Sequence, residues 1–230
     1  MNIRKLFLFG FIIIAVLCFS GCSEDMENLE TEKGLSEIRF LENQCCNIFE
    51  KYMGGDYSTE DNQIQWNLLK EDYVVLKDAM DVILIDMASL QIQSKSIVAL
   101  ENHFNDLDND IRMKEGNLWI KEICDIYYLL SNTILESISK EEWVQQEKKC
   151  KSDLLYVGYY LILWQKEEVL ASLDAFEEKF ADLNKNQAYL ENNAYKVNKV
   201  FMSIQKLKLS LERDNLEAGK EEFLKLLKMF

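Results

Sequence analysis

The 230-residue chain contains no proline, only 8 glycines and a single histidine. Proline and glycine supply much of the turn chemistry that joins short β-strands, so a chain with so few of them is poorly suited to a β-sandwich or a β-barrel. Leucine, lysine, glutamate and methionine, which are abundant here, favour helix. The composition alone therefore predicts an all-α fold.

The residue patterns that mark common active sites are also missing. The chain has no GxSxG, no glycine-rich phosphate loop, no HExxH and no CxxC, so the nucleophilic, phosphoryl-transfer and zinc-hydrolase schemes each lack a required part. The lone His103 lies in an acidic stretch near the end of a predicted helix, where we expect a solvated or capping role. We expect no catalysis, no cofactor and no metal site.

One acidic segment resembles a calcium-binding loop in part. Residues 106–110 carry aspartates at the first three ligand positions of an EF-hand. Ile111 then replaces the glycine that the turn needs, and Asn117 replaces the closing glutamate. We interpret this segment as a solvated turn.

Charge is strongly unbalanced, with 40 acidic against 26 basic residues and a net charge of −14. Such a field repels phosphate backbones, so we expect no nucleic-acid binding. It favours cationic proteins or peptides as partners, although solubility alone would also account for it.

The first 21 residues have the form of a signal peptide. Arg4 and Lys5 precede an apolar run over residues 6–19. That run is shorter than the ~20 residues that a membrane-spanning helix needs and lies within the range of about 7 to 15 residues of a signal core. The sequence therefore predicts export from the cytoplasm.

The motif "FSGC" from Phe19 to Cys22, at the end of this segment, resembles the lipobox of bacterial lipoproteins. Phe19 departs from the pattern, which commonly has leucine there. The resemblance implies cleavage before Cys22, acyl chains such as palmitate on that cysteine, and a lipid-anchored protein on the outer side of the cell membrane or in the outer membrane. Secretion without lipid and an uncleaved anchor are the alternatives, and both also export the chain.

The predicted signal peptide and lipobox divide the chain into three segments. Residues 1–21 are the predicted signal peptide, 22–34 a lipidated polar tether, and 35–230 a single helical-bundle domain. No family is indicated for the helical domain.

Apolar spacing and turn residues predict five or six helices in an elongated antiparallel bundle. The first covers about 35–53 and stops at Gly54 and Gly55; Ser58 or Thr59 caps the second. Apolar residues at alternating spacings of three and four then form a coiled-coil seam, and with weaker positions up to about residue 105 they predict a helix longer than ~50 Å. The seam residues are Trp66, Leu69, Tyr73, Leu76, Met80, Ile83, Met87 and Leu90.

The second half is predicted in the same way. A turn at 105–110 leads to a third helix ending near 138, and Ser139 caps a fourth that runs to about 182. A turn at 184–187 follows, and Asp214 caps the last helix. Residues 154–164 are apolar on all sides, which is typical of a central helix.

Two sets of residues are candidate sites. Tyr156, Tyr160 and Trp164 could line a hydrophobic ligand cavity where Gly158 leaves room, although aromatics at helical spacing more often form core. The four cysteines of the helical domain could form disulfides that join one of the adjacent pair to a later cysteine, or remain free buried thiols. These are Cys45, Cys46, Cys124 and Cys150.

The sequence is best interpreted as a non-catalytic protein-binding module anchored at the bacterial envelope. The alternative is a carrier of a small hydrophobic ligand within the bundle.

Replacing the cysteine of the predicted lipobox tests the predicted lipid attachment and membrane location directly. Cys22→Ser removes the thiol that would carry the acyl chains, so lipid labelling should disappear and the protein should leave the membrane fraction. Metabolic labelling with a fatty-acid analogue measures the first, and cell fractionation the second. Unchanged labelling of the variant would contradict the lipobox assignment.

Overall fold

The structure is a computed structural model that describes residues 34–59, 63–87, 92–134 and 142–230. In these ranges the fold is all-α, as predicted, and no strand occurs beyond an isolated antiparallel bridge between Ser58 and Ile64. The predicted signal peptide, the predicted lipobox and nearly all of the predicted tether lie outside the described residues. The helices are α1 (34–54), α2 (Trp66–Met87), α3 (Ser94–Met113), α4 (Gly116–Leu129), α5 (Glu142–Ile162), α6 (Lys166–Leu183), α7 (Gln187–Glu212) and α8 (Leu216–Leu227).

These helices bury one hydrophobic cluster, and α5 lies in its middle. It packs against α4, α6, α8 and the π-helical turn Leu130–Ile134 that continues α4. Its residues Leu154, Leu155, Val157 and Leu161 are fully buried. The continuous apolar run at 154–164 therefore belongs, up to Ile162, to a central helix of a helical bundle.

Gly158 allows the closest approach in this core. A Cβ added at this position would lie 2.8 Å from the ring of Phe49 and closer still to the ring of Phe223. The centroids of these two rings are 6.1 Å apart. The sequence predicted that the space beside Gly158 could hold a ligand, but two aromatic side chains from α1 and α8 fill it.

Three helices end in the same kind of turn without glycine. Lys114, Trp164 and Asp214 have φ of 60°, 54° and 56°, the left-handed conformation that usually selects glycine. After each, the next amide donates to the carbonyl five residues earlier, as in Glu115 to Asp110 at 2.9 Å. These turns reverse the chain in two or three residues and pair α3 with α4, α5 with α6, and α7 with α8.

Two predicted long helices are divided, so the described residues contain eight α-helices instead of five or six. The second predicted helix does not continue to residue 105, because residues 92 and 93 are not helical. α2 has 22 residues, a length of ~33 Å, and the prediction of a helix longer than ~50 Å is wrong. The fourth predicted helix ends at Ile162, where the turn at Trp164 separates α5 from α6.

The turn predicted at residues 105–110 is also wrong. This segment lies within α3, because Phe104 and Leu107 are buried on its inner side while the aspartates alternate with them. A helical segment cannot form an EF-hand loop. The chain turns instead at Lys114.

The predicted helix caps differ from those in the structure. α8 is capped by Asn215, whose Oδ1 accepts from the amide of Ala218 at 3.1 Å, and not by Asp214. Thr59 Oγ1 accepts from the amide of Gln63 at 3.1 Å, well before α2 begins. Ser139 lies outside the described residues.

Five positions of the predicted seam are buried in α2: Leu69, Tyr73, Leu76, Met80 and Ile83. α1 and the stop at Gly55, with φ of 86°, agree with the prediction. Within the described ranges, no helix is both long and apolar enough to cross a bilayer.

The packing at Gly158 predicts that adding a single methyl group at this position destabilises the fold. Gly158→Ala should lower the free energy of unfolding by about 1 to 3 kcal/mol, because the rings of Phe49 and Phe223 must shift. Gly219→Ala is the matched control: its added Cβ would meet nothing closer than 3.6 Å, and alanine favours helix. Urea unfolding measures both, and equal effects at the two sites would contradict this packing.

Candidate functional site

An exposed apolar row runs along the outer side of α2. Leu68, Val75 and Val82 follow one another at intervals of seven residues and are 37%, 46% and 46% exposed. Seven residues are nearly two turns of an α-helix, so the three side chains lie almost in line. This is the spacing with which one helix presents knobs to a second helix.

Two carboxylates accompany this row. Glu71 and Asp78 are exposed, and each follows a row residue by three positions, which places it on the adjacent strip of the helix surface. We refer to Leu68, Glu71, Val75, Asp78 and Val82 as the α2 ridge. It combines an apolar line with an acidic border, while the opposite side of α2 carries the buried seam.

A polar contact fixes the beginning of α2 against the end of α1. Lys51 Nζ lies 2.9 Å from Asp72 Oδ2, and the hydroxyl of Tyr57 donates to the same carboxylate. Burial, together with this carboxylate, raises the pKa of Tyr57 far above its usual value. The contact therefore orients α2 with its seam inward and the α2 ridge outward.

A buried carboxylate on α1 contacts two other elements. Glu42 on α1 is 3% exposed. Lys148 on α5 donates to its Oε2, and Ser131 Oγ lies 3.3 Å from Oε1. Burial raises the pKa of Glu42, and the ammonium of Lys148 opposes that rise. The pair is best explained as a tie between α1 and α5, because removing either charge would leave the other poorly solvated.

A cavity of about 280 Å³ opens beside this pair. Its wall mixes both signs of charge with apolar side chains. The lining residues are Arg39, Glu42, Asn43, Tyr127, Val144, Glu147, Lys148, Lys151 and Phe230.

The structure does not bring the three proposed ligand-lining residues together at this cavity. Tyr156 donates its hydroxyl to Asp125. Tyr160 packs on Tyr159 with ring centroids 5.5 Å apart, and Trp164, in the turn after α5, has the ammonium of Lys166 at 5.1 Å from its ring. Each of the three has a structural neighbour of its own.

All four cysteines of the described residues are free and buried. This is the second of the two alternatives left by the sequence. Burial raises the pKa of Cys46 to about 11 and that of Cys150 to about 12, so almost no thiolate forms near neutral pH. Cys45 and Cys124 are shifted further in the same direction.

His103 differs from its predicted role. It lies in the interior of α3 and not near a helix end, and its Nδ1 is 2.6 Å from Glu122 Oε2 on α4. Its side chain is 30% exposed. Among the described residues, His103, Glu122 and Asp125 form a group that could hold a metal ion.

In comparisons with known proteins, no family model, no curated protein and no solved structure matches this chain.

Sequence reasoning missed both the α2 ridge and the Glu42–Lys148 pair. The ridge has a visible signal, the seven-residue spacing of three apolar residues next to the stronger buried seam. The pair joins residues 106 positions apart, and no local pattern indicates such a contact.

Removing the cation from the buried pair should make stability depend on pH. In Lys148→Met the carboxyl of Glu42 has to remain protonated to stay buried, so its folded pKa rises further above the unfolded value. The folded state then holds a proton that the unfolded chain releases, and stability falls as pH rises above the unfolded pKa. We expect a loss of roughly 2 to 3 kcal/mol at pH 8 and a smaller loss at pH 5.

Urea unfolding at the two pH values measures this difference. The exposed Lys179, paired with Asp153 at 2.6 Å, is the matched control, and Lys179→Met should show little difference between the two pH values. A Lys148→Met loss that is the same at pH 5 and pH 8 would contradict the role given to the buried pair.

Proposed function

We propose that this protein is a non-catalytic lipoprotein of the bacterial envelope that binds another protein through the α2 ridge. The ridge is the observation that carries the proposal, because a helix of the described fold leaves a regular apolar line uncovered. The "FSGC" motif supports the location: lipid on Cys22, outside the cytoplasm, in the cell membrane or the outer membrane.

The proposed anchor keeps the domain near the membrane. From Cys22 to the start of α1 at residue 34 is a chain of twelve residues, which spans at most about 40 Å when fully extended. An antiparallel bundle on such a tether can turn its α2 side toward a partner at the same surface. Binding then takes place within a thin layer above the bilayer.

The chemistry of the ridge favours one class of partner, a cationic amphipathic helix. Its apolar side chains would pack between Leu68, Val75 and Val82, and its lysines or arginines would lie beside Glu71 and Asp78. A second copy of this chain is a poor fit, because two acidic borders would face each other. The net charge of −14 adds attraction for a positive partner at longer range.

The hydrophobic-carrier alternative has less support. The place beside Gly158 where the sequence analysis put a ligand is occupied by Phe49 and Phe223.

Two valines of equal exposure provide a sharp test. Val74 and Val75 are both 46% exposed but point ~100° apart around α2, so only Val75 lies on the ridge. We would use the lipidated protein and its Val75→Ser and Val74→Ser variants to capture partners from the producing organism's envelope at low and high salt.

We expect Val75→Ser to lower recovery of one protein about tenfold and Val74→Ser to leave it unchanged, with recovery reduced by high salt. The captured protein must contain an amphipathic helix with lysine or arginine beside its apolar face. Equal recovery by both variants, capture of a second copy of this chain, or a reproducible bound lipid in place of a protein would overturn the proposal.

A further inference from the structure

The hairpin of α3 and α4 collects the chain's only histidine and several acids. His103, Asp106 and Asp110 follow one another on α3 at spacings of three and four, so they share one face. Glu122 and Asp125 are three apart on α4. Because the turn at Lys114 folds the two helices back on each other, these two faces meet.

Three of these side chains converge on one point. His103, Glu122 and Asp125 each offer a ligand atom, and the three atoms lie within 4.8 Å of one another. Ligand atoms held at about 2.1 Å from a tetrahedral zinc ion are about 3.4 Å apart. Small side-chain rotations would therefore bring all three onto a single ion, without movement of either helix.

The cluster already holds a positive group where an ion would sit. Lys121 Nζ lies 2.6 Å from Asp125 Oδ2, and His103 Nδ1 lies 2.6 Å from Glu122 Oε2. The side chain of Lys121 is 42% exposed, so it can withdraw into solvent. Tyr156 donates to the other oxygen, Asp125 Oδ1, and would hold the carboxylate in place as outer partners of metal ligands do.

The surroundings carry more negative charge than these groups balance. Burial and the neighbouring carboxylates of Glu122, Asp106 and Glu115 raise the pKa of Asp110 to about 6. A divalent cation would relieve the repulsion among these acids.

We propose that His103, Glu122 and Asp125 form a zinc-binding site that joins α3 to α4. One imidazole nitrogen with two carboxylate oxygens is a donor set that suits Zn²⁺, with water as the fourth ligand, whereas Mg²⁺ and Ca²⁺ prefer oxygen alone. On binding, the ion takes the place of the ammonium of Lys121 beside Asp125. The site lies on the α3–α4 hairpin and is independent of the α2 ridge.

Calorimetric titration of the metal-free protein with zinc chloride tests the site, with magnesium chloride as the comparison. We expect one zinc ion per chain, a higher melting temperature with zinc, and no response to magnesium at the same concentration. His103→Gln and Glu122→Gln should each weaken zinc binding at least tenfold.

The matched control is Glu101→Gln, which removes an exposed carboxylate from α3 with the same change in charge. It should bind zinc as the parent protein does. Melting curves without zinc show whether each variant folds. The proposal is overturned if the folded parent protein binds no zinc at micromolar concentrations, or if Glu101→Gln weakens binding as much as Glu122→Gln.

Discussion

The close approach of helices at Gly158 is the constraint on which the rest of the structure depends. Without a side chain there, Phe49 from α1 and Phe223 from α8 both reach the backbone of α5. That contact makes α5 the central helix. α5 then also carries the two polar partners that reach outward from the core: Lys148, which meets Glu42 on α1, and Tyr156, which meets Asp125 on α4.

These interior contacts explain how two distinct surfaces are arranged. Tyr156 fixes Asp125 on the side of α4 that faces α3, so the acids of the hairpin converge around His103. At the other end of α1, the contact between Lys51 and Asp72 sets the rotation of α2. A helix fixed in this rotation buries its seam and leaves Val75 and its neighbours in solvent. The candidate docking surface thus depends on the contact of α2 with α1, and the candidate ion site depends on the contact of α4 with the central helix α5.

Much of this fold could be predicted from the sequence, and the failures have a common reason. The scarcity of proline and glycine predicted helices, and the seam from Leu69 to Ile83 identified the inner side of α2. The turns at Lys114 and Trp164 could not be predicted from glycine, because these residues adopt the left-handed conformation in which glycine is expected. Long-range polar pairs such as Glu42 with Lys148 have no local signal. The α2 ridge had one, but spacing alone does not tell an exposed apolar row from a buried one.

The most direct test of the proposed function is photocrosslinking from the α2 ridge in living cells, with a photoreactive amino acid placed at Val75. The account predicts a crosslink to one other protein, within a segment that has lysine or arginine along one edge of an apolar helix face. A crosslink to a second copy of this chain, or to lipid alone, would contradict it.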